Sequence, residues 1–210
     1  MAGGSRVRLL ECKRSDKDLF DFYASLIVGG TRFDAPMTQV IAEARKRFVF
    51  NGFCRSNLVI SHSKRIQLNA RINRELASSV DAKVELTVTG RSTRARSNSE
   101  QTMFIWPGIQ LMGSVPTERR GVRNGCLYTV AETDEAACTV RLQDPDVVLS
   151  FDEVKSWLRL SYAQTYASVQ GSEFDAQLRL HDVGHQFFTR KHLFVGLSRA
   201  RNAKDVSIVN

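Results

Sequence analysis

The stretch that decides the fold is residues 57–73, NLVISHSKRIQLNARIN. Within its first five residues Leu58, Val59 and Ile60 form a short apolar run, which predicts a buried strand over 57–61. Directly after this run Leu68, Ile72 and Leu76 recur every four residues, so residues 64–77 are predicted to form an amphipathic helix. A buried strand followed at once by such a helix is typical of an α/β layer with a largely parallel sheet.

The flanking sequence continues this alternation of helices and strands. Two helices are predicted before the stretch, over residues 16–27 and 38–48. Later in the chain the pattern predicts strands at 157–163, 176–180 and 206–209, a helix starting near Ser168 and a helix over 189–199. The prediction is therefore an α/β fold with a parallel sheet flanked by helices.

Between the earlier and the later α/β segments, the sequence pattern changes to short predicted strands separated by turn signals. Residues 84–149 contain Trp106-Pro107-Gly108 and Asn124-Gly125, and the second pair predicts a hairpin between Val122 and residues 126–130. We interpret this region as a small antiparallel β-barrel, inserted into the α/β domain and reached through a Ser/Arg-rich loop at 90–101. The predicted division is thus 1–83 and 151–210 for the α/β domain and 84–150 for the insert.

The composition indicates which kind of protein this is and which partners it could bind. The 210 residues are 42% hydrophobic, enough to bury a core, and a formal net charge of +8 favours polyanions, although a solvated basic surface explains the charge equally well. The four cysteines stand far apart with no zinc spacing, so no metal site is predicted. No signal peptide or bilayer-spanning run is found, which predicts a soluble intracellular protein with no membrane partner.

Three segments carry candidate chemistry: residues 161–175, SYAQTYASVQGSEFD, residues 194–202, FVGLSRARN, and residues 9–15, LLECKRS. The first places amides and a carboxylate after a strand, where ligands of α/β sheets bind. The arginines of the other two suit a triphosphate, because the guanidinium donates in a planar fork. Each segment also has a plain structural explanation: Glu173 as an acidic residue in a first helical turn, a basic last helical turn, and surface charge.

In chain order, residues 9–15, 161–175 and 194–202 resemble motifs IV, V and VI, respectively, of superfamily 1 helicases, within the C-terminal, second RecA-like domain of RecD-like and UvrD-like enzymes. The resemblance implies a RecA-like parallel sheet. It also implies two catalytic arginines, Arg14 reaching the γ-phosphate and Arg199 as the arginine finger. Nucleotide-side residues of the motif V match are Gln170, Gly171 and Glu173.

The resemblance further implies contacts to single-stranded DNA or RNA. Those contacts fall on Thr165 of motif V and on the strand end at Ser61, His62 and Ser63. The insert resembles the small barrel of the RecD-like branch, implying 5′-to-3′ polarity, and its cations Arg119 and Arg120 are further candidates. One departure stands out: many RecD-like helicases carry Thr-x-His-Lys before the Gln-Gly, whereas this chain has Ala167 and Ser168.

No G-x-x-x-x-G-K-[ST] phosphate loop occurs in the 210 residues. The resemblance assigns that element and the magnesium-binding acidic motif to a first RecA-like domain, the expected partner in cis or in trans. We therefore expect ATP with Mg²⁺ to be bound mainly by that partner, and this chain alone to be inactive as an ATPase. The alternative is a non-catalytic module derived from a helicase that binds single-stranded nucleic acid.

Overall fold

The computed structural model describes residues 12–88, 101–169 and 171–210. The chain divides into two compact units, the first made of residues up to Leu58 together with Val169–Asn210, and the second of Val59–Ser168. The helices and strands, in chain order, are α1 Lys17–Ala24, α2 Met37–Arg47, β1 Ser56–Val59, α3 His62–Ala77, β2 Val84–Leu86, β3 Met103–Ile105, β4 Gln110–Gly113, β5 Leu127–Asp134, β6 Thr139–Leu142, β7 Val147–Ser150, α4 Phe151–Trp157, β8 Leu158–Leu160, β9 Ala163–Thr165, β10 Leu178–Leu180, α5 Arg190–Leu197 and β11 Val206–Ile208.

The first unit is a parallel sheet flanked by helices, as predicted. Its strands lie in the order β11–β10–β1, and Leu178 of β10 pairs with Ser56 on one side and Val206 on the other. Leu178 is completely buried, as befits a central parallel strand. Helix α1 packs through Phe22, whose ring makes an edge contact with the ring of Phe48 at 5.1 Å between centroids.

The second unit contains the predicted antiparallel structure as a curled five-stranded sheet, ordered β7–β6–β5–β4–β8, and a separate β2–β3 pair. The predicted hairpin partner was wrong: β5 pairs with β4, and Asn124-Gly125 turns the chain just before β5. Here Gly113 is needed for close approach, because a Cβ at this position would lie 1.9 Å from the carbonyl oxygen of Arg123.

Helix α3 is joined to neighbouring strands by two buried amide side chains. Asn69 donates to the carbonyl of Ala163 at 3.1 Å and accepts from the amide of the same residue at 2.8 Å. Asn73 makes the same reciprocal pair with Phe104, at 2.9 and 2.7 Å. Each asparagine side chain therefore bonds the backbone N–H and C=O of one strand residue, as the backbone of a neighbouring strand would.

Two predicted elements were wrong. Residues 157–163 are not one strand: α4 ends at Trp157, and β8 and β9 follow separately. Ser150 and Glu153 form a reciprocal capping box that starts α4. No helix starts near Ser168 in the described residues 166–169 and 171–177, because the Ser168 amide and hydroxyl both donate to the Thr165 carbonyl and close a turn.

Candidate functional site

The first unit brings the three predicted motif segments together in one ionic cluster. Arg14 Nη2 lies 2.8 Å from Glu173 Oε1, and Arg201 Nη2 lies 3.5 Å from Glu173 Oε2. Arg201 Nε also lies 2.5 Å from Asp175 Oδ1. Glu173 therefore lies between two arginines that are far apart in the chain, and no helix contains it.

Arg199 lies two residues beyond the end of α5 and is half-buried. Its Nη1 donates to the carbonyl of Ser172 at 3.2 Å, and its Nη2 donates to the Ser198 hydroxyl at 3.1 Å. Its Nε is buried without a hydrogen-bond partner among the described residues. Burial, reinforced by the like charge of Arg14 and opposed by Glu173, lowers the pKa of Arg199. Burial and the charge of Arg14 thus outweigh the attraction of the nearby Glu173 carboxylate at this guanidinium.

Backbone hydrogen bonds fix the relative positions of these segments. The Ser15 hydroxyl donates to the Ala200 carbonyl at 2.9 Å, and the Asp16 amide donates to the Arg201 carbonyl at 2.8 Å. The Asp16 carboxylate accepts from the amide of Leu19 at 2.8 Å, which caps α1, and from the amide of Ala203 at 2.7 Å. The residues that flank Arg14 are therefore bonded directly to the chain that carries the other two arginines.

A thiol and a phenol lie beside this cluster. Cys12 Sγ is 3.2 Å from Tyr23 Oη, and the Ser15 amide donates to the sulfur at 3.4 Å. Burial opposes ionisation of Cys12, but its hydrogen bonds to Tyr23 and to the backbone of Ser15 and Arg14 outweigh burial and lower the pKa of the thiol. Burial and the contact with Cys12 raise the pKa of Tyr23 to about 12.

Some predicted nucleotide-side positions are described only in part. Gln170 and the first three residues of LLECKRS lie outside the described residues. Gly171 has φ +90 with open space where a Cβ would point, so its backbone conformation favours glycine. The amide of Phe174 donates to the carbonyl of Arg199 at 2.9 Å, which is a further connection between residues 161–175 and 194–202.

The predicted strand-contacting residues lie in the second unit. Ser61, His62 and Ser63 are exposed at the start of α3, where Ser61 accepts from the amide of Lys64 at 3.1 Å. Thr165 is only 4% exposed. The residue after it donates its amide to the carbonyl of Val59 at 3.1 Å, so the ends of β1 and β9 adjoin within this unit.

Two arginines that the sequence analysis overlooked carry charge near this edge. Arg65 and Arg159 are buried, and burial followed by repulsion from Arg159 lowers the pKa of Arg65 to about 10. Burial and the charges of both arginines lower the pKa of His62. Because both guanidiniums remain protonated at neutral pH, the exposed Ser61–Ser63 segment lies in a positive field. The position of Arg65 on α3 gave no signal of burial, since arginines on a helix are ordinarily exposed, and Arg159 lies in β8.

The insert arginines have partners inside their own unit. Arg120 Nη1 lies 3.1 Å from Glu153 Oε1, and its Nη2 donates to the Val148 carbonyl at 2.7 Å. Arg119 lies over the ring of Trp157 at 5.6 Å. These contacts hold the segment against β7 and α4, so strand binding would have to use the remaining exposed faces of the two guanidiniums.

Within residues 12–88, 101–169 and 171–210, no group of three or more His, Cys, Asp or Glu side chains is arranged to hold a metal ion. In the same part of the chain, no helix is long and apolar enough to cross a membrane.

Comparison with known proteins gives a fold likeness and no sequence match. No protein-family model matches the chain, and no curated protein matches it. One matching solved structure is described as two coordinating Pif1 helicases that unwind forked double-stranded DNA. The match has a TM-score of 0.60 and 15% identity, and it covers 94% of this chain and 48% of that chain.

Two further Pif1 structures give the same result. Pif1 from Bacteroides, in complex with ADP-AlF3 and single-stranded DNA, matches with a TM-score of 0.59 and 16% identity over 96% of this chain and 51% of that one. Pif1 from Candida albicans matches with a TM-score of 0.55 and 13% identity over 95% and 55%. The chain thus shares a RecA-like fold with these Pif1 helicases and spans about half the length of each of these chains.

Proposed function

We propose that this chain is the second RecA-like domain of a superfamily 1 helicase, supplying arginines in trans to an ATP site whose phosphate loop lies on a first RecA-like domain. One observation carries the proposal. Arg14, Glu173 and Arg199 come from segments that resemble three separate helicase motifs, and they lie in one cluster of the first unit. A solvated surface gives no reason for segments so distant in sequence to converge on one acidic residue.

The residues of the cluster fit a polyphosphate. Three arginines and two carboxylates leave one net positive charge there, and among the described residues the buried Nε of Arg199 has no acceptor. In the proposed role Arg199 and Arg14 donate to phosphate oxygens and stabilise the charge that develops during hydrolysis. The magnesium and the nucleotide cradle would come from the partner domain, since the sequence has no phosphate loop.

The nucleic-acid contacts are proposed for the edge of the second unit where β1 and β9 end. Exposed hydroxyls at Ser61 and Ser63, together with the charges of Arg65 and Arg159, suit a phosphate backbone. Pif1 structures described as bound to single-stranded DNA support the choice of a single strand. Such contacts distinguish neither base sequence nor, by themselves, DNA from RNA.

The first test is catalytic. The purified chain should show no measurable ATPase activity and only weak nucleotide affinity, because arginines without a phosphate loop provide charge but no cradle. In complex with a phosphate-loop domain, Arg199→Ala should lower hydrolysis by roughly 10³-fold or more with strand binding nearly intact. Arg201→Ala is the matched control, since Arg201 is already paired with two carboxylates. Strand-stimulated hydrolysis by the chain alone would overturn the proposal, as would normal hydrolysis by the Arg199 variant.

A second candidate is a non-catalytic module that binds single strands. The observation that favours it is the presence of Ala167 and Ser168 where many RecD-like helicases have strand-contacting side chains. Both candidates predict binding whose log affinity falls linearly with log salt, with a slope of about −0.7 per phosphate neutralised. The ATPase rate of an added phosphate-loop domain distinguishes the two candidates. The helicase half should raise that rate, whereas a non-catalytic module should not.

A further inference from the structure

The loop after β10 presents an aromatic ring to solvent. Phe187 is 64% exposed, while the neighbouring Phe188 is 7% exposed. The Phe187 and His185 rings lie 5.4 Å apart at an interplanar angle of 45°, and the Phe187 amide donates to His185 Nδ1 at 3.2 Å. The buried Phe188 and this local hydrogen bond hold the loop, so the exposed pair is a defined surface of the first unit.

The sequence that follows the pair is basic. Arg190 and Lys191 follow it at the start of α5, Lys191 is exposed, and Asp182 is the one acidic residue in the sequence from 181 to 192. The loop also leaves the carboxyl end of a central parallel strand, which is where α/β sheets bind ligands. A partner that fits this surface presents flat apolar faces and negative charge together.

We propose that Phe187 and His185 form a stacking platform for the bases of a single-stranded nucleic acid. This inference rests on the proposed strand-binding function and adds a site outside the motif segments. Aromatic side chains stack on any base because every base has a π-face, and adjacent cations attract the connecting phosphates. The platform therefore contributes affinity without sequence preference.

Phe187→Ala tests the proposal in the full chain, with two fluorescent oligomers of equal length, oligo-dT and an abasic sugar-phosphate strand. Removing a stacked ring should weaken oligo-dT binding by at least about 5-fold and leave abasic binding unchanged. Phe53→Ala is the matched control, because Phe53 is also a phenylalanine of the first unit and is 47% exposed. This control should alter neither affinity.

A second variant gives a direct reading of stacking. The fluorescence of Phe187→Trp, after subtraction of the two native tryptophans, should be quenched by oligo-dT and unaffected by the abasic strand. An unchanged dT affinity of Phe187→Ala, an equal loss for both oligomers, or an unquenched tryptophan would overturn the platform while strand binding stands. If the unmodified chain binds neither oligomer, strand binding and the platform are both refuted.

Discussion

The Asp16 carboxylate bonds both to the start of α1 and to the chain that follows Arg201. Its substitution should therefore destabilise the part of the fold that holds the arginine cluster. Its two carboxylate oxygens perform separate tasks, because Oδ1 accepts from the Leu19 amide and Oδ2 accepts from the Ala203 amide. Two substitutions therefore separate the tasks. Asp16→Asn keeps one acceptor for the cap and places an NH₂ group against the Ala203 amide, whereas Asp16→Ala removes both acceptors.

The expected magnitudes follow from these bonds. A hydrogen bond to a charged acceptor contributes about 1.5–3 kcal/mol, and the lower end applies because Asp16 is half-buried. Loss of a helix N-cap costs about 1 kcal/mol. We expect the free energy of unfolding to fall by about 1.5 kcal/mol in Asp16→Asn and about 2.5 kcal/mol in Asp16→Ala.

Urea unfolding followed by far-UV circular dichroism measures these differences. With a denaturant slope of about 2 kcal/mol per M, the Asp16→Ala midpoint should fall by roughly 1 M. Asp34→Ala, at an exposed aspartate of the same unit, should change the free energy of unfolding by less than about 0.5 kcal/mol. Equal midpoints for Asp16→Asn and the Asp34 control would refute the assigned bond to Ala203, and equal effects of the two Asp16 variants would refute its role as a cap.

Two further predictions concern the groups beside Asp16. Folding raises the pKa of Tyr23 to about 12, so the folded state holds a proton that the unfolded chain releases near pH 10. This group should therefore not change the free energy of unfolding below pH 10, and that free energy should fall as pH rises from 10 to 12. In urea titrations at pH 9 and 11, Tyr23→Phe should show a smaller fall. An equally steep fall in the variant would contradict the assignment. Glu173→Gln should change the free energy of unfolding by less than about 1 kcal/mol, because its pairs with Arg14 and Arg201 are half-exposed. The same variant should bind inorganic tripolyphosphate a few-fold more tightly by calorimetry, whereas Asp175→Asn, which leaves Arg201 paired with Glu173, should show a smaller gain. Unchanged affinity in Glu173→Gln would show that the carboxylate does not compete with phosphate for the arginines.

Local patterns predicted α1, α2, α5, β1, β10 and β11, although they also predicted a helix near Ser168 that is not formed in the described residues. Asp16 before an apolar period marks the start of α1, and the four-residue recurrence in 64–77 predicts α3 to within two residues. No helix was predicted over 151–157, although Ser150 and Glu153 form a capping box that starts α4 directly after β7. Capping is a local signal, so this error was avoidable.

Other features depend on contacts that no local pattern reveals. The Asn124-Gly125 turn was found, but the partner of β5 is β4, since strand pairing is decided by packing of the whole sheet. The convergence of Arg14 and Glu173 followed from the resemblance to motifs. Arg65 was not predicted at all, because its burial depends on the elements that cover α3.

The shared carboxylate of Glu173 also constrains the order in which this site can change during evolution. Substituting Glu173 first leaves Arg14 and Arg201 with no common counter-ion, whereas losing one of the two arginines first leaves Glu173 paired with the other. The three positions are therefore epistatic, with the acidic position free to drift only after a basic one has gone. A lineage that abandoned the arginine at position 14 would be expected to relax position 173 next, and a deep mutational scan of pairs at these sites should display that asymmetry as non-additive fitness.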